Sequence, residues 1–307
     1  MTTPKPYYEF SDYLKRHFPF KVQKISVNAG FTCPNRDGSK GVGGCTYCNN
    51  DTFNPDYCRT EHSLSGQLAA GIRFFSRKYP DMKYLAYFQA YTNTYASLEA
   101  LRQKYEEALA FPGVAGLIIG TRPDCMPEAL LDYLAGKSRE AFIFIEYGLE
   151  SPSGDTLLRI NRGHTYRDSE DAIRRTHERN LPVGAHLILG LPGEDREQML
   201  YHAGLISALP LTALKLHQLQ IIRHTAMEKE FREHPEHFRL YAPEEYVELV
   251  IDFMERLRPD IAVDRFVSQA PESLLVAPAW GLKNHEFTAL VRKRFAARRT
   301  KQGARYL

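Results

Sequence analysis

Short apolar runs alternate along this chain with stretches whose apolar residues recur at helical spacing. Residues 22–27, 83–91, 114–120, 141–147, 182–189 and 211–222 are apolar runs of strand length. Between the first two, Leu64, Leu68, Ile72, Phe75 and Tyr79 fall on one helical face, and Pro80 is placed to stop that helix. Leu98, Leu101, Tyr105 and Ala108 mark a second helix, closed by Pro112-Gly113. Further helices are predicted over 126–135, 168–180 and 194–208. Strands of this kind, alternating with helices, indicate a parallel sheet covered by helices on its outer face. Six units with right-handed crossovers predict an α/β fold, a partial (β/α)6 TIM-like barrel with a small C-terminal extension. A complete eight-unit barrel needs about 250 residues, whereas the alternation here is exhausted near residue 222.

The flanks follow a different rhythm. Residues 1–21 carry Tyr7, Tyr8, Phe10, Tyr13, Phe18 and Phe20 among charges, which predicts an N-terminal helical extension packed on the body. The barrel is assigned to 22–225, and 226–307 to a C-terminal extension with a basic tail, packed on the barrel. In that extension 228–241 reads as a loop or short helix. Tyr246, Val250, Phe253 and Leu257 mark an amphipathic helix, 261–267 is a strand candidate, and a last helix starts near Asn284.

Composition changes little in this picture. No apolar stretch reaches about 18 residues, so no membrane span is expected. The start lacks the apolar core of a signal peptide, and five cysteines, an odd number, suit a reducing compartment. A cytoplasmic protein is the expectation. The net charge is +3, but from Phe287 onward there is no Asp or Glu among seven basic residues. Such a tail is either a solvated terminus or a grip on a phosphate backbone.

The chemistry concentrates in residues 33–48, where Cys33, Cys45 and Cys48 share a glycine-rich loop after the first strand. Grouped cysteines in such a chain point to metal or redox chemistry. A closed structural zinc site wants four ligands, so three leave either a cluster with one vacant corner or a zinc knuckle completed by Cys58 or His62. In the knuckle reading the chain is a non-catalytic binding module. Working residues of α/β barrels sit at the carboxyl ends of strands. Gln89, Ala90 and Tyr91 fall there, as do Thr121 to Cys125. At period two, so do Glu146 with Gly148 and Glu150, His186 with Ile188 and Gly190, and Lys215 with His217. Polar groups inside barrels either meet substrate or satisfy one another. Cys125 is either a reactive thiol at the mouth or a small buried residue.

The three-cysteine loop with Tyr47 before its last Cys resembles the cluster loop of radical S-adenosylmethionine (SAM) enzymes, at wider spacing than the commonest version. Residues 87–95, 120–125, 161–164, 186–194 and 215–217 extend the likeness almost end to end. It is similar to the radical SAM portion of the Elongator catalytic subunit and to the YhcC-like family. The resemblance implies a [4Fe–4S] cluster on Cys33, Cys45 and Cys48, with SAM bound to the fourth iron and cleaved to a 5′-deoxyadenosyl radical. It implies Tyr47, Gln89, Ala90, Tyr91, Glu150, Arg162, His186 and Gly190 as cofactor-binding residues, with Arg162 on the SAM carboxylate. Glu150 departs from the Gln usual there. Cys125 and Glu146 are the candidate catalytic residues. The implied partners are SAM, an electron donor such as flavodoxin or ferredoxin, and tRNA as the base-modified substrate, with a small metabolite as the rival.

Overall fold

The computed structural model describes residues 5–58, 60, 62–76 and 81–306. Its sheet is built from β1 (Val22–Val27), β2 (Lys83–Phe88), β3 (Val114–Thr121), β4 (Phe142–Glu150), β5 (Val183–Leu189) and β6 (Ala213–Gln218). All six are parallel and adjacent in chain order. After the two-residue β7 (Ile221–Ile222) comes β8 (Ala262–Arg265), which pairs parallel with β6 as a seventh strand. The expected six-stranded count is therefore one short, and the additional strand comes from the 261–267 candidate. A third short piece, β9 (Leu275–Ala277), pairs antiparallel with β7.

The sheet curls until its two edge strands face each other across a side-chain pair. Lys24 Nζ on β1 lies 2.7 Å from Asp264 Oδ2 on β8. The chain start fills what remains of the gap. Val263 donates its N–H to the Tyr8 carbonyl, and α1 (Phe10–His17) follows. Because side chains alternate across a strand, Leu85, Ile118, Phe144, Ala213 and Ala262 point inward at the base. Phe10 and Leu14 plug them from below, with the Phe10 ring edge-on to Phe144 at 5.1 Å. The outward set, including Ile25, Phe88, Ile119, Ile145 and Leu187, is buried under the helices.

Those helices are α2 (Leu64–Ser76), α3 (Leu98–Leu109), α4 (Glu128–Lys137), α5 (Gly154–Arg159), α6 (Tyr166–Glu178), α7 (Arg196–Ser207), α8 (Ala226–Glu233), α9 (Pro243–Arg256) and α10 (Asn284–Arg298). Tyr79 and Pro80, expected to close α2, lie outside the described residues. The short α5, capped by Ser153, is too brief to show periodicity. The charged 228–241 stretch takes the short-helix alternative over its first part as α8, which starts two residues earlier and is capped by Thr225.

The basic tail proves to be ordered. Arg292 pairs with Glu9, Arg294 with Glu248, Arg298 with Asp252 and Arg305 with Glu255. Gln302 binds the chain start through both its N–H to Pro6 and its side chain. Among the described residues no helix is long and apolar enough to cross a membrane.

Candidate active site

A cavity of about 160 Å³ opens at the carboxyl mouth of the barrel, and Cys33, Cys45 and Cys48 all line it. The loop that carries them is wound by its own backbone. Arg36 donates its N–H to the Cys33 carbonyl, Gly44 to Asn35 and Cys48 to Cys45. Gly44 has φ +83°, and a Cβ there would meet the Arg36 guanidinium at 2.8 Å. Only glycine suits both demands. Asn161 clamps the loop from outside: its side chain donates to the Gly44 carbonyl at 2.9 Å and its carbonyl accepts from Asn35 at 2.5 Å. The next residue, Arg162, is thereby delivered to the sulfurs.

Donors converge on those sulfurs. Arg162 Nη1 lies 3.5 Å from Cys45 Sγ, Asn35 Nδ2 3.7 Å from the same atom, and Asn50 Nδ2 3.5 Å from Cys48 Sγ. Burial, with the neighbouring Cys45 sulfur, pushes the bare Cys48 thiol up to about 11. A site so arranged favours a cation that displaces the proton. Among the described residues the trio of His, Cys, Asp or Glu whose ligand atoms lie within 4.8 Å of one another is the exposed His234, Glu236 and His237. The loop sulfurs are spread more widely than one zinc ion, with Zn–S of about 2.3 Å, would gather. The proposed fourth zinc ligands are also elsewhere. Cys58 is buried and donates to the Ser26 carbonyl, His62 is exposed, and neither lines the cavity. Neither proposed residue thus completes a zinc knuckle, and the donor set fits a cuboidal cluster with an open corner.

Beside the sulfurs, Arg162 Nη2 donates to the Gly148 carbonyl at 2.5 Å and lies 3.6 Å from Glu150 Oε1, while its Nε is buried without a partner. A Cβ on Gly148 would come within 2.7 Å of that guanidinium. Two residues of the cavity wall hold strained backbone: Tyr91 has φ +61° and Glu150 φ +69°. For non-glycine residues such conformations are uncommon and cluster at functional sites. Tyr91 is held by its N–H donating to Asn50 Oδ1 at 3.0 Å. Gln89 lines the wall next to it, and Tyr47 closes the other side, its phenol raised by burial and by the Glu150 carboxylate. An orphaned guanidinium N–H beside an acceptor-only carboxylate suits a ligand bearing both a carboxylate and hydroxyls.

The floor is a buried charge network. Lys215 Nζ sits 2.6 Å from Glu146 Oε2, 2.9 Å from the Tyr87 hydroxyl and 3.3 Å from Asp264 Oδ2. Three N–H groups meet three oxygens, so this ammonium is saturated. Glu146 also meets His186 Nε2 at 3.1 Å, and although burial opposes its charge, Lys215 and Lys24 hold it well below the usual carboxylate range. His217 lies alongside, its Nε2 facing Arg265.

Most expected site residues thus meet in one place: the three cysteines, Tyr47, Gln89, Tyr91, Glu146, Glu150, Arg162 and His186 all line the cavity. Three do not. Ala90 is buried beneath the wall, and Gly190 (φ +92°) faces Tyr241 and Leu219. Cys125 is buried off the cavity next to Asp124, its thiol pushed up to about 12 by burial. Lys215 belongs to the floor network without lining the cavity, and His164 is buried apart with its Nδ1 on the Thr165 carbonyl. Sequence reasoning missed Asn50, Arg36, Asp264 and Arg265. Asn50 stands two residues after the last loop cysteine, a position that signals contact. Asp264 and Arg265 belong to a strand assigned outside the barrel.

An opened parallel barrel with three convergent thiols over a polar cavity defines a class, the barrel enzymes that carry a metal–sulfur centre at the mouth. The chain belongs to the radical SAM superfamily: residues 30–206 match the model of that superfamily and 211–297 that of the radical SAM C-terminal domain. Its cofactors are accordingly a [4Fe–4S] cluster and SAM. It is 34% identical to Bacillus subtilis YtqA over 98% of this chain and 93% of that protein. It is 36% identical to Escherichia coli YhcC over 88% of this chain and 86% of that protein. Among solved structures it is similar to archaeal Methanocaldococcus infernus Elp3, with a TM-score of 0.68, 17% identity and 92% of this chain covered. The chain spans 64% of that protein's structure, and at this identity the likeness is one of fold.

Proposed function

We propose that this chain reductively cleaves SAM in the cavity and turns the resulting radical on a substrate that enters the same mouth. The observation that supports it best is the meeting of three sulfurs with the Arg162–Glu150 pair in one cavity. When bound, the cluster supplies the electron that breaks the sulfonium carbon–sulfur bond and yields a 5′-deoxyadenosyl radical. The residues supply position. Cys33, Cys45 and Cys48 would hold the cluster, and the N–H groups of Arg162, Asn35 and Asn50 would steady two of those sulfurs. Arg162 grips the SAM carboxylate with a guanidinium already oriented by the Gly148 carbonyl. Glu150 accepts from ribose hydroxyls, the backbone at 89–91 meets the methionyl amine, and Tyr47 excludes water.

For substrate, a tRNA base is the reading that rests on the resemblance to the Elongator branch. The ion pairs that occupy Arg292, Arg294, Arg298 and Arg305 withdraw much of its electrostatic support and favour the rival, a small metabolite. Anaerobic reconstitution with iron and sulfide, then dithionite and SAM, should release 5′-deoxyadenosine. A brown, cluster-loaded protein that releases none overturns the reading. Nucleoside profiles of tRNA from cells with and without the gene decide between substrates: an unchanged profile removes tRNA.

A further inference from the structure

Two histidines on neighbouring strands stand side by side on the cavity wall, His186 on β5 and His217 on β6, ring centroids 5.5 Å apart. Their tautomers are set by what lies behind them. Arg265 turns two N–H groups on His217 Nε2, from Nε at 3.2 Å and Nη2 at 3.0 Å. A guanidinium only donates, so His217 Nε2 is an acceptor and the ring proton sits on Nδ1. Behind His186 the relation is reversed. Its Nε2 faces Glu146 Oε2 at 3.1 Å, and that carboxylate is kept ionised by Lys215 at 2.6 Å. A carboxylate only accepts, so His186 Nε2 carries the proton and its Nδ1 is a lone pair. Burial, with the surrounding cations, holds both rings neutral. Neither Nδ1 has a hydrogen-bond partner among the described residues.

Neighbouring rings on the wall therefore carry one unpartnered acceptor and one unpartnered donor. We infer that His186 and His217 form a subsite for a planar amide edge, a lactam or carboxamide whose N–H meets His186 Nδ1 while its carbonyl meets the His217 Nδ1–H. A carboxylate is refused because it would face the His186 lone pair with another, and an ammonium because it would meet the His217 N–H. Site groups built to hydrogen-bond a substrate reject analogues that lack the matching atom, because buried polar groups are then left unpaired. The inference rests on the cavity being the chamber for SAM and substrate, and it adds the chemical class of what is held there. Glu146 and Arg265 act as positioning residues that fix the two tautomers.

The probe is 2-pyridone, a small lactam, against N-methyl-2-pyridone, in which the donor is blocked. Cluster-loaded, SAM-bound protein should bind 2-pyridone at least tenfold more tightly than its N-methyl form by equilibrium dialysis. His217→Phe should abolish that preference. Long-range ¹H–¹⁵N spectra of histidine-labelled wild type should show His217 protonated at Nδ1 and His186 at Nε2, a measurement independent of whether the variant folds. Equal binding of the two probes overturns the proposal, as does the opposite tautomer at His217. Displacement of SAM by 2-pyridone would also overturn it, since the pair would then be holding the adenine. A wild type that shows the preference but releases no 5′-deoxyadenosine would sink the proposed reaction and leave the recognition subsite standing.

Discussion

Replacing Lys215 by Met takes an ammonium out of the centre of the barrel floor and leaves Glu146 without its 2.6 Å partner. Both side chains are almost fully enclosed, at 4% and 3% exposure, so solvent cannot substitute. Removing one member of a buried pair costs about 3–5 kcal/mol because the remaining charge is left uncompensated. Two groups soften the loss here. Lys24 stays 3.7 Å from Glu146, though Asp264 already engages it at 2.7 Å, and His186 stays at 3.1 Å. The lower end, about 3 kcal/mol, is the expected deficit in urea unfolding of the cluster-loaded protein. The deficit should also depend on pH. In the wild type, burial and Lys215 hold the His186 imidazole below its ordinary value. Without Lys215 burial still lowers it, but the pull of the Glu146 carboxylate is less opposed, so it rises from its wild-type level. That rise lessens the variant's deficit where the imidazole takes up its proton, and the benefit is lost as pH rises through the folded value. The Met variant should therefore be closer to wild type at pH 6 than at pH 8. Adding Glu146→Gln removes the stranded charge, so the double variant should cost less than the summed singles by about 0.5–3 kcal/mol. A single cost under about 1 kcal/mol, the level of an exposed pair, would refute the reasoning, and so would strict additivity.

Three further outcomes follow from the same structure. Arg162→Lys should leave iron content near wild type but weaken SAM binding at least tenfold by equilibrium dialysis, because an ammonium cannot hold the Gly148 carbonyl and a carboxylate in one plane. Phe10→Ala should unplug the barrel base and cost about 3–5 kcal/mol in urea unfolding, with cluster loading retained. Glu194, buried beside Ser151 and His202, is pushed up to about 7 by burial. Its folded form holds a proton that the unfolded chain releases near 4.5, so stability falls as pH rises between the two values. Glu194→Gln should thus gain up to about 3 kcal/mol over wild type at pH 8, and the gain should vanish near pH 4.

Much of this architecture was legible because hydrophobic burial and strand pairing write themselves as periodicity. The six alternating units show in the chain, and so does the period-two placement of Glu146, Gly148 and Glu150 at the mouth. The seventh strand was legible only as a strand candidate and not as part of the barrel sheet, for a physical reason. Ala262–Arg265 is four residues long, half of them polar, and its Asp264 and Arg265 look like surface residues until Lys24 and His217 are seen facing them. The paired arginines of the tail were equally hidden, since their partners Glu9, Glu248 and Asp252 are remote in sequence.

These hidden contacts show how the barrel is closed. A sheet of seven parallel strands leaves two unpaired edges, and unpaired edges invite pairing with other chains. Here the β8 edge is met by the chain start, through the Val263 N–H on the Tyr8 carbonyl, and the start is held in turn by Gln302 near the chain end. Both extensions are therefore parts of the barrel wall. The same closure brings Asp264 across to Lys24 and fixes the charge network on which Glu146 and His186 depend. The positioning of the cavity floor thus reaches back to residues at both ends of the chain. Truncating either extension should disturb the histidine wall before it disturbs the cysteine loop, which is held by Asn161 and its own turns.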